Sequence, residues 1–140
     1  YESPNSRYVA DFIGDVNLIE GRVTSVENGL VRLGWAGGKD DLLISSDMAV
    51  NTGDRLWFAM RPEKIHISSG PPEQADNTVG GTVLDIAYAG NTTTYHVDIG
   101  NGLIIKTQET NRRHRVNRTI TWEDRVWLGW TRNAGVLLRE

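Results

Sequence analysis

The sequence predicts an all-β fold in which one small barrel is written twice. Three observations carry that expectation. The phrase Asp54-Arg55-Leu56-Trp57-Phe58 returns as Asp124-Arg125-Val126-Trp127-Leu128, with Asp54, Arg55 and Trp57 answered by Asp124, Arg125 and Trp127 at an offset of seventy. Asn17, Gly21 and Val23 return as Asn77, Gly81 and Val83 at an offset of sixty, so the second copy holds about ten additional residues between its anchors. The aromatic and β-branched runs are short and separated by Gly, Asn and Asp turn signals, which is strand spacing and not helical spacing.

Taken in order, the chain opens on a helix start, with Ser3 as N-cap and Pro4 at the first helical position. Val9, Phe12 and Ile13 then share one face and Gly14 terminates, so a short amphipathic helix is expected over residues 4–13, within a connector over residues 1–16. A strand over residues 21–27, an Asn28-Gly29 hairpin turn, a strand over 30–35, a Gly37-Gly38 turn and a strand over 41–44 make a meander. The repeated strand follows and ends at Pro62, which has no ladder donor, and Ile65-His66-Ile67 is expected to return antiparallel. Residues 68–74 have linker composition and divide a first repeat, 17–70, from a second, 71–140. The second repeat predicts strands over 81–88, 92–99 and 103–109, then the repeated strand, a turn at Asn133-Ala134-Gly135 and a return over 136–138. About ten short strands at this spacing, five to a repeat, fit a duplicated OB-fold-like barrel.

Composition bounds what such a chain does. Its 140 residues suffice for one domain or two merged halves with a real core. Net charge is −3 and charged residues make up 24%, which argues against a dedicated nucleic-acid binder. Cysteine is absent, which excludes disulfides, thiolate catalysis and Cys-based zinc sites. No apolar run approaches the ~20 residues that span a bilayer, and no stretch has the pattern of a signal peptide, so membrane association is expected through a partner. The first residue is Tyr1 and not Met, which suggests a piece of something longer.

The motifs of common enzymes are missing: no phosphate loop of the Gly-x-x-x-x-Gly-Lys-Ser/Thr type, no Gly-x-Gly-x-x-Gly, no Gly-x-Ser-x-Gly and no His-Glu-x-x-His. His66, His96 and His114 are far apart in sequence with no second ligand at metal spacing. Asp40-Asp41 and Glu123-Asp124 are adjacent carboxylates, but neighbours on a strand face opposite ways, so turn roles are expected over an acid/base dyad. Trp57, Trp127 and Trp130 stand in the repeated strand and are expected to pack a core or an interface, not a ligand cage. Arg112, Arg113, His114, Arg115 and Arg118 form the one basic cluster, expected as an exposed interaction loop. With exposed aromatics it could serve single-stranded nucleic acid, but the overall acidity weighs against that.

With these residues in hand, the chain resembles the C-terminal part of the ATP-binding subunit of polyamine-type ABC importers. The opening Tyr1-Glu2-Ser3-Pro4-Asn5-Ser6-Arg7-Tyr8-Val9-Ala10-Asp11-Phe12-Ile13-Gly14 looks like that family's exit from its ATPase domain. Arg61-Pro62-Glu63 looks like its Arg-Pro-Glu signature, and Asn77 with Tyr88-Ala89-Gly90 looks like its transport-associated OB (TOBE) region. The basic stretch over 111–118 followed by Thr121-Trp122-Glu123-Asp124 is similar to putrescine-transporting members. The resemblance implies a regulatory and dimerising domain on the cytoplasmic face of the bacterial inner membrane, partnered by a second ATP-binding subunit and by permease subunits. It implies no catalytic, cofactor or metal residue in this stretch, with ATP and Mg belonging to the rest of the parent subunit. It carries over Arg61 and Glu63 only as members of the signature loop, where a guanidinium and a carboxylate around Pro62 are expected to fix the turn or, alternatively, to meet a neighbouring subunit; as candidate interaction or regulatory residues they are joined by Arg112, Arg113 and Arg115. An OB-type sensor of an oxyanion or a polyamine is the alternative.

Overall fold

The computed structural model describes residues 15–37, 40–110 and 120–139. The helix expected over residues 4–13 lies outside the described residues, as do Arg112, Arg113 and Arg115. The described chain is all-β: β1 (Asn17–Glu27), β2 (Leu30–Trp35), β3 (Leu42–Ser45), β4 (Arg55–Met60), a 3-10 turn (Pro62–Lys64), β5 (His66–Ser68), β6 (Asn77–Ala89), β7 (Thr92–Gly100), β8 (Leu103–Thr110), β9 (Arg125–Trp130) and β10 (Gly135–Leu138). These form two five-stranded antiparallel sheets, ordered β10-β4-β1-β2-β3 and β5-β9-β6-β7-β8.

One compact unit comprises the chain up to Arg61 together with the residues from Thr131, and the other is Pro62–Trp130. In the first unit, alternation along β1 sends Ile19 and Val23 inward, and they meet Val31, Leu33, Leu42, Ile44, Leu56, Phe58 and Met60 in a core almost without exposed surface. Strand β4 is buried on both faces. Its other face puts Trp57 and Ala59 against Leu138, with Val16 and Leu18 packed on them. Ser45 N donates to Arg132 O at 2.9 Å, which draws the sheet's two edges together and curls it into a barrel.

The second unit repeats the plan with Val79, Val83, Ile86, Tyr95, Val97, Ile105, Val126, Leu128 and Trp130 inside, and adds Ile65 and Ile67 from the start of the unit. Its core is more polar. Thr93 and Thr107 are buried, and the Thr107 hydroxyl donates to Ile65 O at 2.6 Å, tying β8 to the segment leading into β5.

The duplication read from the sequence is exact in register. Asn17 pairs with Met60 and Gly21 with Leu56 across β1 and β4, while Asn77 pairs with Trp130 and Gly81 with Val126 across β6 and β9. Each long strand carries a bulge at the same place, between Val23 and Ser25 and between Val83 and Asp85. The turn before each repeated strand is also the same: Val23 N donates to Asp54 O and Gly53 N to Val23 O, as Val83 N donates to Asp124 O and Glu123 N to Val83 O. Side chains of Asp54 and Asp124 close it by accepting from Asn51 N at 2.8 Å and Thr121 N at 2.9 Å.

Two expectations are corrected. The segment at Ile65-His66-Ile67 does not return onto the strand before Pro62, and the segment at Val136-Leu137-Leu138 does not return onto the second copy's repeated strand; β5 pairs with β9, and β10 pairs with β4. The reason lies in the duplication itself. Leu56-Trp57-Phe58 and Val126-Trp127-Leu128 offer nearly the same edge to a short apolar strand, so local sequence does not distinguish the two partners. Connection decides it: the 3-10 turn at Pro62, closed by Ile65 N to Pro62 O at 3.2 Å, leads into the second unit, which is therefore a circular permutation of the first. The first unit receives its fifth strand only after the chain has completed the second.

Candidate functional site

Among the described residues, those singled out from sequence are not gathered into one site. Arg61 follows β4 and Glu63 sits in the 3-10 turn; both are exposed, while Pro62 between them is buried. The turn is held by the Pro62 ring and the backbone bond to Ile65, so the two charged side chains remain available to solvent. His66 is exposed on β5, and His96 on β7 is half-buried with a buried Nδ1 that has no hydrogen-bond partner among the described residues. No group of three His, Cys, Asp or Glu residues suited to a metal occurs among the described residues. Asp40 and Asp41 behave as turn residues: the Asp40 carbonyl accepts from Trp35 Nε1 at 3.1 Å, and the Asp41 carboxylate accepts from Thr24 Oγ1 at 2.6 Å.

Two tryptophans follow the packing expectation closely, Trp57 at 5% exposure and Trp130 at 1%, and Trp127 is half-buried. Trp122, which lies outside the repeated strand, is 48% exposed, with its indole N–H directed at Asp85 Oδ1 at 3.4 Å. Among the described residues the one clearly perturbed ionisable group is Tyr95, buried in the second unit. Burial pushes its phenol up to about 12, and the charges of Glu109 and Tyr88 push the same way.

Polar chemistry concentrates instead on the outward faces of the repeated strand pairs. In the first unit, Glu20 on β1 lies opposite Trp57 on β4, and Arg55, next but one on β4, pairs its Nε with the Glu20 carboxylate and spreads its guanidinium 5.0 Å from the Trp57 ring centre. In the second unit the positions are Gly80, Arg125 and Trp127. Arg125 there donates to Thr82 Oγ1 at 3.1 Å and forms no ion pair among the described residues. A comparison of the two copies at an offset of sixty would have exposed the exchange of Glu20 for Gly80, but neither residue belongs to a chemical motif.

Past the bulges the copies differ again. Each bulge directs two successive residues outward before the inward alternation resumes, as at Leu84 and Asp85 before the buried Ile86. Leu84 and Trp122 are both 48% exposed, whereas the matching residues of the first unit are Thr24 and Thr52.

Comparison with known proteins adds the following. The TOBE domain family matches residues 58–138. The chain is 37% identical over 139 residues to the putrescine transport ATP-binding protein PotG of Escherichia coli K12, covering 99% of this chain and 37% of that protein. It is 33% identical over 140 residues to the spermidine/putrescine import ATP-binding protein PotA of Protochlamydia amoebophila, covering 99% of this chain and 38% of that one. Likewise it is 34% identical over 133 residues to the PotA protein of Thermotoga maritima, covering 93% and 36%. The chain thus spans less than two-fifths of the length of these relatives. Among solved structures, the cytoplasmic molybdate-binding protein ModG with molybdate bound superposes with a TM-score of 0.77 at 17% identity, over 89% of this chain and 96% of that one, which is a likeness of fold.

Proposed function

This chain belongs to the TOBE domain family, and from that premise we propose that it is the regulatory and dimerising part of the ATP-binding subunit of a polyamine importer, most closely a putrescine importer. The observation that supports this best is the extent of the similarity to the E. coli putrescine transport protein, which runs through 99% of the chain and so includes both barrels. In this reading ATP and Mg are handled elsewhere in the parent subunit, and the work of this chain is to stabilise a pair of such subunits beneath their permease partners, on the cytoplasmic face of the inner membrane. Two features suit that work. Each unit has a buried core of its own, and no helix among the described residues is long and apolar enough to cross a membrane. Arg61 and Glu63 offer exposed charges at a Pro-fixed turn, and Arg112, Arg113 and Arg115 supply a basic stretch suited to steering an acidic partner surface.

A chimera tests the proposal. The corresponding segment of the E. coli putrescine protein is replaced by residues 1–140, and putrescine uptake is measured in cells lacking the native subunit. Restored uptake is expected. A chimera that folds and hydrolyses ATP but imports no putrescine would count against it. The isolated chain, in turn, should show no saturable ATP binding at micromolar nucleotide, because it lacks a phosphate-cradling loop.

A further inference from the structure

We propose that the outward face of the second unit around Gly80 and Arg125 is a docking site for a protein segment that presents an Asp or Glu side chain beside an apolar one. The first unit supplies the template. There the same strand positions hold a complete set, with the Glu20 carboxylate on the Arg55 guanidinium and the guanidinium over Trp57. The second unit keeps the arginine and the tryptophan as Arg125 and Trp127 but has Gly80 where the carboxylate stood. Arg125 is exposed and donates only to the Thr82 hydroxyl among the described residues, although a guanidinium carries five donors arranged to grip a carboxylate.

Nearby acids do not supply the missing charge. Asp124 accepts from Thr121 N, Asp85 accepts from its neighbour Ile86 N and from the Trp122 indole, and neither these nor Glu123 lies within ion-pair distance of Arg125. The surface at Gly80 accepts a side-chain atom beside the guanidinium. A Cβ placed on Gly80 would find Arg125 Nη2 at 3.5 Å, Val126 O at 3.8 Å and Trp127 Cε3 at 3.9 Å, all ordinary contacts.

The apolar half of the argument is independent. Further along β6 on the same outward side, the bulge presents Leu84, and the turn leading to β9 presents Trp122, where the first unit has Thr24 and Thr52. The barrel folds with threonine at both positions in one copy, so it does not require the exposed leucine and tryptophan in the other. Exposed apolar groups beside an unmatched arginine are the composition of an interface centre. A partner's acidic side chain would restore on Arg125 what Glu20 gives Arg55, and its apolar neighbour would cover Leu84 and Trp122.

The site can be tested on the 140-residue chain by nuclear magnetic resonance, following the Arg125 Nε–H and the Trp122 and Trp127 indole signals. The probes are a blocked peptide, acetyl-Ala-Glu-Leu-Leu-amide, and glutarate. The peptide should shift these signals saturably and bind about tenfold more tightly than glutarate. Arg125→Gln should abolish the response to both. Gly80→Glu rebuilds the first unit's pair within the chain and should abolish it as well, in a variant whose fold the Gly80 surroundings accommodate. Leu84→Thr with Trp122→Thr should reduce the peptide to the affinity of glutarate. Peptide binding unchanged in Gly80→Glu or Arg125→Gln would overturn the proposal, as would no saturable shift at ten millimolar peptide. Glutarate binding as tightly as the peptide would overturn the protein-partner assignment in favour of a free small carboxylate.

Discussion

Gly80 and Gly81 are neighbours on one strand, yet replacing each with alanine should move stability in opposite directions. A Cβ on Gly81 would stand 2.6 Å from Val97 Cγ1 and 2.7 Å from Asp98 O, closer than real Cβ atoms approach anything. Neither neighbour yields readily. Val97 is a fully buried β-branched residue with a stiff χ1, and Asp98 O belongs to the backbone of β7, so β6 and β7 would have to part. Overpacking of that kind costs about 1–3 kcal/mol. The entropy that alanine removes from the unfolded chain returns only about 0.4–1 kcal/mol, so the net loss should be on the order of 1–2 kcal/mol. For a unit of this size that corresponds to a fall in melting temperature of roughly 4–16 °C. At Gly80 the nearest heavy atom is 3.5 Å away and is the tip of a flexible arginine, and φ lies outside the left-handed range, so Gly80→Ala should be neutral or stabilise by up to ~1 kcal/mol. Urea unfolding and scanning calorimetry of both variants beside the wild type measure the difference. Equal effects, or a Gly81→Ala variant as stable as wild type, would refute the close approach of β6 and β7 on which the reasoning rests.

Glu123 adopts φ 69° at the turn position where the first unit has Gly53 at φ 94°, so Glu123→Gly should stabilise by up to ~1 kcal/mol in urea unfolding, while Gly53→Glu should destabilise by about the same amount. Thr107→Val deprives the buried Ile65 carbonyl of its donor and should cost about 1–3 kcal/mol by the same measurement. Because burial raises the Tyr95 phenol to about 12, its contribution to stability is intact below pH 10, the ordinary tyrosine value, and is lost as pH rises toward 12; melting temperatures across that window should fall less in Tyr95→Phe. The triple change of Arg112, Arg113 and Arg115 to alanine, which the sequence predicts to lie on an exposed loop where a charge contributes ~0–1 kcal/mol, should leave the melting temperature of the isolated chain nearly unchanged, yet weaken assembly of the full subunit in a salt-dependent way measurable by sedimentation at two ionic strengths.

The sequence by itself determined the class and the duplication. Turn residues at fixed offsets, Gly21 and Gly81 at matching close approaches, and the Asp-Arg-x-Trp phrase each act through local backbone chemistry, and local chemistry repeats when the residues repeat. It also marked Trp57 and Trp130 as packing residues from their place in the repeated strand, and the structure buries them on opposite faces, Trp130 in the inward position that Met60 holds in the first unit and Trp57 against Ala59 and Leu138. Strand exchange was not legible: β4 and β9 present nearly identical partners, and only the path of the chain through Pro62 assigns β5 to one and β10 to the other. The unmatched Arg125 was equally hidden. Its significance lies in the absence of a carboxylate from Gly80, on a different strand forty-five residues away, and tertiary pairing alone brings those positions side by side. The exposure of Trp122 was likewise decided by tertiary structure, in the turn that holds it at the edge of the β6 bulge and not within the repeated strand.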